Sequence, residues 1–273
     1  MGAHMTAPLP SMAPTTDTGL QLTDLVGQLN GLLSPHLFKD YGPNGLQVEG
    51  RPRVAHIVTG VTASLALIEA AAEVRADAVL VHHGLFWRGY EGRITGWMHR
   101  RIKSLMTNDI SLLAYHLPLD AHPTLGNNAQ LARVLGLRVL DGSEARFGDQ
   151  NLGCLGSVEA GGPTNLGELA AHVSQRLGRA VTCVGNNEQP LSTVAWCTGG
   201  AQSYFEPAIV AGASVFITGE ISEPQAHYAR ECGVGYLACG HHATERYGVQ
   251  AVGEHLAHTL GVRHTFIDID NPA

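Results

Sequence analysis

The sequence predicts an α/β fold: two related α/β lobes with mixed or parallel sheets flanked by helices, and a metal site between them. Three observations carry this expectation. Short apolar runs with β-branched residues alternate with helical patterns of 9–17 residues, which is how βαβ units read. The runs are continuous rather than alternating, as in strands covered on both faces. A weak internal echo also links 58–84 and 197–220. Each runs strand, Thr-Gly or Thr-Gly-Gly, helix, short turn and apolar strand, followed later by a His-x-x-x-acid pair: His116 to Asp120, then His241 to Glu245.

In chain order, 23–33 carries helical periodicity and 54–61 reads as a strand. Thr62 or Ser64 can cap the next helix, ASLALIEAAAEV, whose Ala, Leu and Glu favour helix. Strands follow at 77–83, 111–117, 193–198, 214–219, 235–239 and 262–269, and helices at 127–136, 166–178, 204–212, 223–232 and 244–260. The Gly-rich stretch 141–162 suits an edge hairpin or the crossing between halves. Residues 1–18 read as a tag remnant (MGAHM) and a floppy Pro/Thr/Ala leader. The first lobe is expected over 19–135 and the second over 136–273, whose C-terminal part can pack back on the first.

Hydrophobic residues make up 44% and charged residues 15%, the balance of a globular chain. The net charge of −7 argues against a general grip on nucleic acid. No apolar run approaches membrane-spanning length. Five cysteines without a C-x-x-C read as buried thiols in a reducing cytoplasm.

Histidine is abundant, at 15 residues, but position matters more than number. His99, His172, His255 and His258 fall on expected helices without acidic partners at metal spacing. By contrast, His82-His83, Asp120 and His241…Glu245 each follow an apolar strand, where open α/β sheets bind ligands. Fold stability does not call for ionisable groups there, since an unpaired buried charge costs several kcal/mol. Adjacent His82 and His83 point to opposite sides of a strand and can each serve one of two neighbouring ions. His241 and Glu245 share a face of a first helical turn, and a carboxylate can give one oxygen to each ion. Imidazole and carboxylate suit Zn, Fe, Mn, Ni or Co without distinguishing them, and the lack of sulfur speaks against a structural zinc site. Two such ions can activate water and polarise a substrate oxygen, which is hydrolytic chemistry. His116 and His242 are candidates to support the ligands or shuttle protons. Asp40 and Asn44 read as loop residues, Asn127 and Asn128 as helix caps, Thr198-Gly199-Gly200 as a tight turn, and Glu220 has no assigned role.

The segments DYGPNGLQVEG (40–50), TGVTAS (59–64), VLVHHGLFW (79–87), HLPLDAHPTLGNNAQLA (116–132), WCTGGAQS (196–203), FITGE (216–220) and GHHATER (240–246) resemble the bacterial members of the NIF-three-like dinuclear metal centre family. These are often labelled GTP cyclohydrolase I type 2 homologues. The likeness runs from about residue 20 to the C-terminal FIDIDNPA. It implies His83, Asp120 and Glu245 on one metal, and His82, His241 and Glu245 on the other. It further implies a toroidal homohexamer with the sites facing an inner cavity, and a small-molecule substrate. A metal-dependent hydrolase acting on a nucleotide, phosphoester or cyclic compound is the expected function; a metal-handling scaffold or adaptor is the alternative.

Overall fold

The computed structural model describes residues 19–140, 142 and 145–273, so the expected leader lies outside the described residues. Two main sheets organise the chain, and helices flank them. The first has five strands in the order Arg263–Phe266, His56–Thr62, Ala78–His83, Ser111–Ala114, Gly45–Val48; the first four run parallel and the last antiparallel. The second has the order Thr182–Val184, Gly235–Ala238, Val215–Thr218, Val194–Trp196, Gly153–Val158, Leu137–Val139, with Arg146–Phe147 also on Gly153–Val158. Its parallel trio is Val194–Trp196, Val215–Thr218 and Gly235–Ala238.

The echo in the sequence has a counterpart in this topology. Each sheet holds three parallel strands in chain order, bordered beyond the third by an antiparallel strand. The parallel strands are apolar because both their faces are covered: Ile57, Val58, Val79, Leu80, Val81, Val215, Phe216 and Ile217 are all buried.

The helix His241–Leu260 joins the two sheets. It follows the last parallel strand of the second sheet and packs on His56–Thr62 of the first, against the helix Asn127–Leu135 on another side. This explains its weakly amphipathic sequence, because buried residues occur around much of its circumference. Two glycines permit the close approaches: at Gly248 a Cβ would collide with Asn127, and at Gly253 with the His264 ring.

Several local readings shift. Ser64, not Thr62, caps Leu65–Glu73, accepting from Leu67 N at 3.2 Å. The expected strand 111–117 stops at Ala114, and a short helix Leu117–Ala121 follows with Pro118 in its first turn. The expected helix 204–212 is a 3-10 turn Gln202–Tyr204 followed by Phe205–Val210. The last strand is only Arg263–Phe266. Among the described residues, no helix is long and apolar enough to cross a membrane.

Candidate metal centre

Five segments reach one point from the carboxyl ends of parallel strands of both sheets. His82 and His83 end Ala78–His83, and Asp120 follows Ser111–Ala114. Gly199 follows Val194–Trp196, Glu220 follows Val215–Thr218, and His241 follows Gly235–Ala238. The centre is the Glu245 carboxylate, one turn into the helix that His241 begins and only 3% exposed.

Each oxygen of Glu245 faces a different set of donors. Oε1 lies 3.4 Å from His82 Nε2, which is itself 3.5 Å from Asp120 Oδ1. Oε2 lies 3.2 Å from His83 Nε2 and 3.1 Å from His241 Nε2. Two donor groups result, His82–Asp120–Glu245 and His83–His241–Glu245, in each of which the ligand atoms lie within 4.8 Å of one another. The grouping implied by the resemblance is thereby exchanged: His82 goes with Asp120 and His83 with His241. The cause lies in the neighbouring strands. His82 Nδ1 bonds to the Tyr115 carbonyl at 3.1 Å, on the chain leading to Asp120, whereas His83 Nδ1 meets Thr62 Oγ1 at 3.0 Å, on the opposite neighbour. Strand alternation puts the histidines on opposite sides, but only the sheet order says which side is which.

The protonation logic shows what belongs between these groups. A carbonyl only accepts, so His82 Nδ1 must be the donor, and in a neutral ring Nε2 is then a bare lone pair. His241 is fixed likewise, its Nδ1 lying 2.6 Å from Glu220 Oε1. Both Nε2 atoms therefore point lone pairs at the lone pairs of a carboxylate. Indeed His82 Nε2 and Glu245 Oε2 are buried without a hydrogen-bond partner. Acceptors facing acceptors in a dry site repel unless a cation lies between them. A proton is one such cation: burial alone would lower His82, but Asp120 and Glu245 outweigh it and push it up to about 9. His241 behaves the same way, burial being overcome by Glu245 and Glu220, and also reaches about 9. Burial, reinforced by the surrounding histidines against the pull of Glu245, drives His83 down to about 3. Burial would raise Glu245, but the histidines hold it well below the usual carboxylate range. Asp120 rises, chiefly by burial and then by Glu245, against the pull of His82. A divalent ion is the other cation that fits, and the residues present suit it: all three imidazoles present Nε2, with Nδ1 anchored behind.

The chain matches the model of the family Duf34/NIF3 (NGG1p interacting factor 3) over residues 20–272. It is 51% identical over 254 residues to a Pseudomonas aeruginosa protein called GTP cyclohydrolase 1 type 2 homolog, covering 93% of this chain and 99% of the relative. It is 52% identical over 246 residues to a Vibrio cholerae protein of the same name, covering 89% and 96%. The chain belongs to the Duf34/NIF3 family. Solved structures of similar fold include one titled protein ybgI, of unknown function, at TM-score 0.86 and 46% identity, covering 93% of this chain and all of that one. A Thermus thermophilus protein aligns at TM-score 0.81 and 32% identity, covering 93% of this chain and 100% of that one.

Around this Duf34/NIF3 site stand residues that sequence reading gave other roles or none. Asn127 and Asn128 are not caps. Asn127 Nδ2 donates to Asp120 Oδ1 at 2.8 Å, while Asn128 bonds the Asp120 and Leu152 carbonyls and accepts from Thr198 N at 3.0 Å. Thr198 Oγ1 adds a bond to Asp120 at 3.2 Å. Asp40 grips His116 Nδ1 at 2.7 Å, with Asn44 and the Leu117 N–H bonded to its other oxygen. Burial would raise Asp40, but His116 and Asn44 hold it low. His116 thus stands beside His82 and His83, its ligand atom within 4.8 Å of theirs. His242 points elsewhere, to Asp268 at 2.7 Å, and anchors the C-terminal segment instead of the cluster.

At Gly199, φ is +69° and a Cβ would overlap the Glu245 carboxylate. Gly199→Ala is therefore expected to lower stability by more than about 2 kcal/mol and to abolish metal uptake, read by calorimetry and elemental analysis. Glu220→Gln keeps the shape but removes the charge behind His241. It is expected to weaken metal binding at the His83–His241 group roughly 10–100-fold and to leave the His82–Asp120 group nearly untouched, measured by titration with a competing chelator.

Proposed function

We propose that this chain is a dinuclear, divalent-metal-dependent hydrolase of a small molecule, in which His82, Asp120 and Glu245 would hold one ion and His83, His241 and Glu245 the other. The observation carrying this reading is the convergence of three imidazole Nε2 atoms and two carboxylates on one site, in which His82 Nε2 and Glu245 Oε2 are buried without a hydrogen-bond partner. Nitrogen and oxygen donors without sulfur suit Zn, Fe, Mn, Ni or Co. Such ions, when bound, lower the pKa of water and polarise a substrate oxygen.

The chain's own residues supply the rest. A cavity of about 180 Å³ opens at the cluster, lined in part by Asp120, His116, His241 and Glu245. His116, with Nδ1 fixed by Asp40, keeps Nε2 free to hold or pass a proton at the substrate. The bonds behind Asp120 and His241 lock those groups in place before substrate arrives.

The working form in this reading is a homohexameric ring, in line with the family resemblance and with the exposed Ile94, Trp97, Met106 and Val210 side chains. Sedimentation velocity tests the ring. Metal-loaded protein assayed against nucleotide, phosphoester and cyclic-amide panels tests the activity. Turnover that survives in the Glu245→Ala, His83→Ala double variant would belong to a contaminant and end the reading.

A further inference from the structure

A second cavity, of about 490 Å³, lies apart from the metal cluster, and none of the cluster's side chains lines it. Its size falls within the roughly 300–1,000 Å³ of pockets that take small molecules. The helices Asn127–Leu135, Leu166–Leu177 and His241–Leu260 bring Arg133, Arg176 and Tyr247 to its wall. Arg176 is fixed there by donating from Nε to the carbonyl of Val134, the neighbour of Arg133, at 2.6 Å. Among the described residues, the terminal nitrogens of Arg176 and the whole Arg133 guanidinium make no hydrogen bond or ion pair. Tyr247 Oη accepts from Arg246 at 3.1 Å and keeps its own proton to give. Gln130 and Gln250 add amides, and Glu254, the one carboxylate of the lining, pairs with neither arginine. Two neighbouring guanidinium heads without a counter-charge repel, and an oxyanion between them relieves the repulsion. Both arginines sit in the last turn of a helix, where positive charge suits the dipole. The dipole accounts for the charges but not for a phenol hydroxyl and two amides around the same space.

We infer that this cavity is a regulatory site for a small phosphate-bearing molecule, with Arg133 and Arg176 on the phosphate and Tyr247 and Gln250 on its polar body. A phosphate offers three oxygens to two guanidinium forks, where a single carboxylate fills one. The regulatory role follows from the helices involved. Arg133 belongs to the helix that Asn127 begins, and Tyr247 and Gln250 to the helix that carries Glu245. The two helices meet where Gly248 N donates to Asn127 Oδ1 at 3.0 Å, and Asn127 Nδ2 donates to Asp120 Oδ1 at 2.8 Å. A ligand clamped across both helices therefore acts on the spacing of Asp120 and Glu245. Its affinity and the affinity for metal are then coupled in both directions.

Calorimetric titration of the chelator-treated full chain with glucose 6-phosphate and AMP, against glucose and adenosine, tests the binding. Without metal, no ion can hold the phosphate. At least one of the two phosphates is expected to bind with Kd below about 1 mM, and its uncharged counterpart is not. Arg133 is exposed and has no bonds to lose. Arg133→Glu should therefore keep the melting temperature and weaken binding at least ~10-fold. Binding of neither phosphate, or equal binding by Arg133→Glu, would overturn the site. The coupling is read by titrating metal against a competing chelator. A saturating amount of the phosphate that binds should shift metal affinity at least ~5-fold in the unsubstituted chain and not in Arg133→Glu. Equal metal affinity with and without it would overturn the regulatory role. Binding is read without metal and without turnover, so failure of the hydrolase reading would be seen separately.

Discussion

Glu245→Ala is expected to empty both metal positions at once, taking the protein from about two ions per chain to well under one. Around Glu245 each other ligand lies on one side only: Asp120 and His82 on the Oε1 side, His83 and His241 on the Oε2 side. Asp120→Asn and His241→Ala should therefore each remove one ion and retain the other, and the contrast with Glu245→Ala is the diagnostic feature. The substitution also carries a folding cost. In the metal-free chain the buried carboxylate is the counter-charge for His82 and His241, and breaking a buried pair of this kind costs about 3 kcal/mol or more. Elemental analysis of the three variants, with thermal melts in chelator, reads both effects.

The second large effect is in pH. Free of metal, His82 and His241 each hold a proton up to about 9, whereas His83, near 3, is already neutral. A metal ligand must be neutral imidazole, so each ion has to displace one proton. Affinity is then expected to fall about tenfold per pH unit, per ion, as pH drops below about 9, since one pH unit is about 1.4 kcal/mol per proton. Between pH 8 and pH 6 that is roughly 100-fold for each ion. The metal-free fold should respond in the opposite sense. A histidine raised from 6.5 contributes stability that is fully present below that value and lost as pH rises through about 9. The chelated protein should thus weaken from pH 6.5 to 9 while the metal's stabilisation grows. Calorimetric titration in buffers of different ionisation enthalpy counts the protons; a pH-independent affinity would contradict the scheme.

Much of this was legible in the chain because it is local. Runs such as AVLV at 78–81 announce buried parallel strands, and a polar residue just beyond such a run stands out against them. His241 and Glu245 are one helical turn apart, so their shared face follows from spacing alone. What escaped depends on partners far along the chain. Glu220 reads as an isolated carboxylate until the second sheet sets it beside His241, 21 residues on. Asn127 and Asn128 look like caps because they begin a helix, yet their amides turn to Asp120 and to Thr198, 70 residues away. Asp40 sits in a loop whose composition speaks only of turns, and its bond to His116 spans 76 residues. Which of His82 and His83 stands with which partners was not legible for the same reason: alternation separates the two, but the order of neighbouring strands decides the sides. Gly199 left one signal, a glycine pair after a strand, and its purpose is room for Glu245.

The claim on which the rest depends is that one carboxylate is shared between two ions. A crystal structure of metal-loaded protein, with anomalous data collected at the absorption edge of the added metal, measures it directly. Two peaks per chain are expected, one beside His82 and Asp120 and one beside His83 and His241, with Glu245 giving an oxygen to each. A single peak, or two with Glu245 bound to only one, would contradict it.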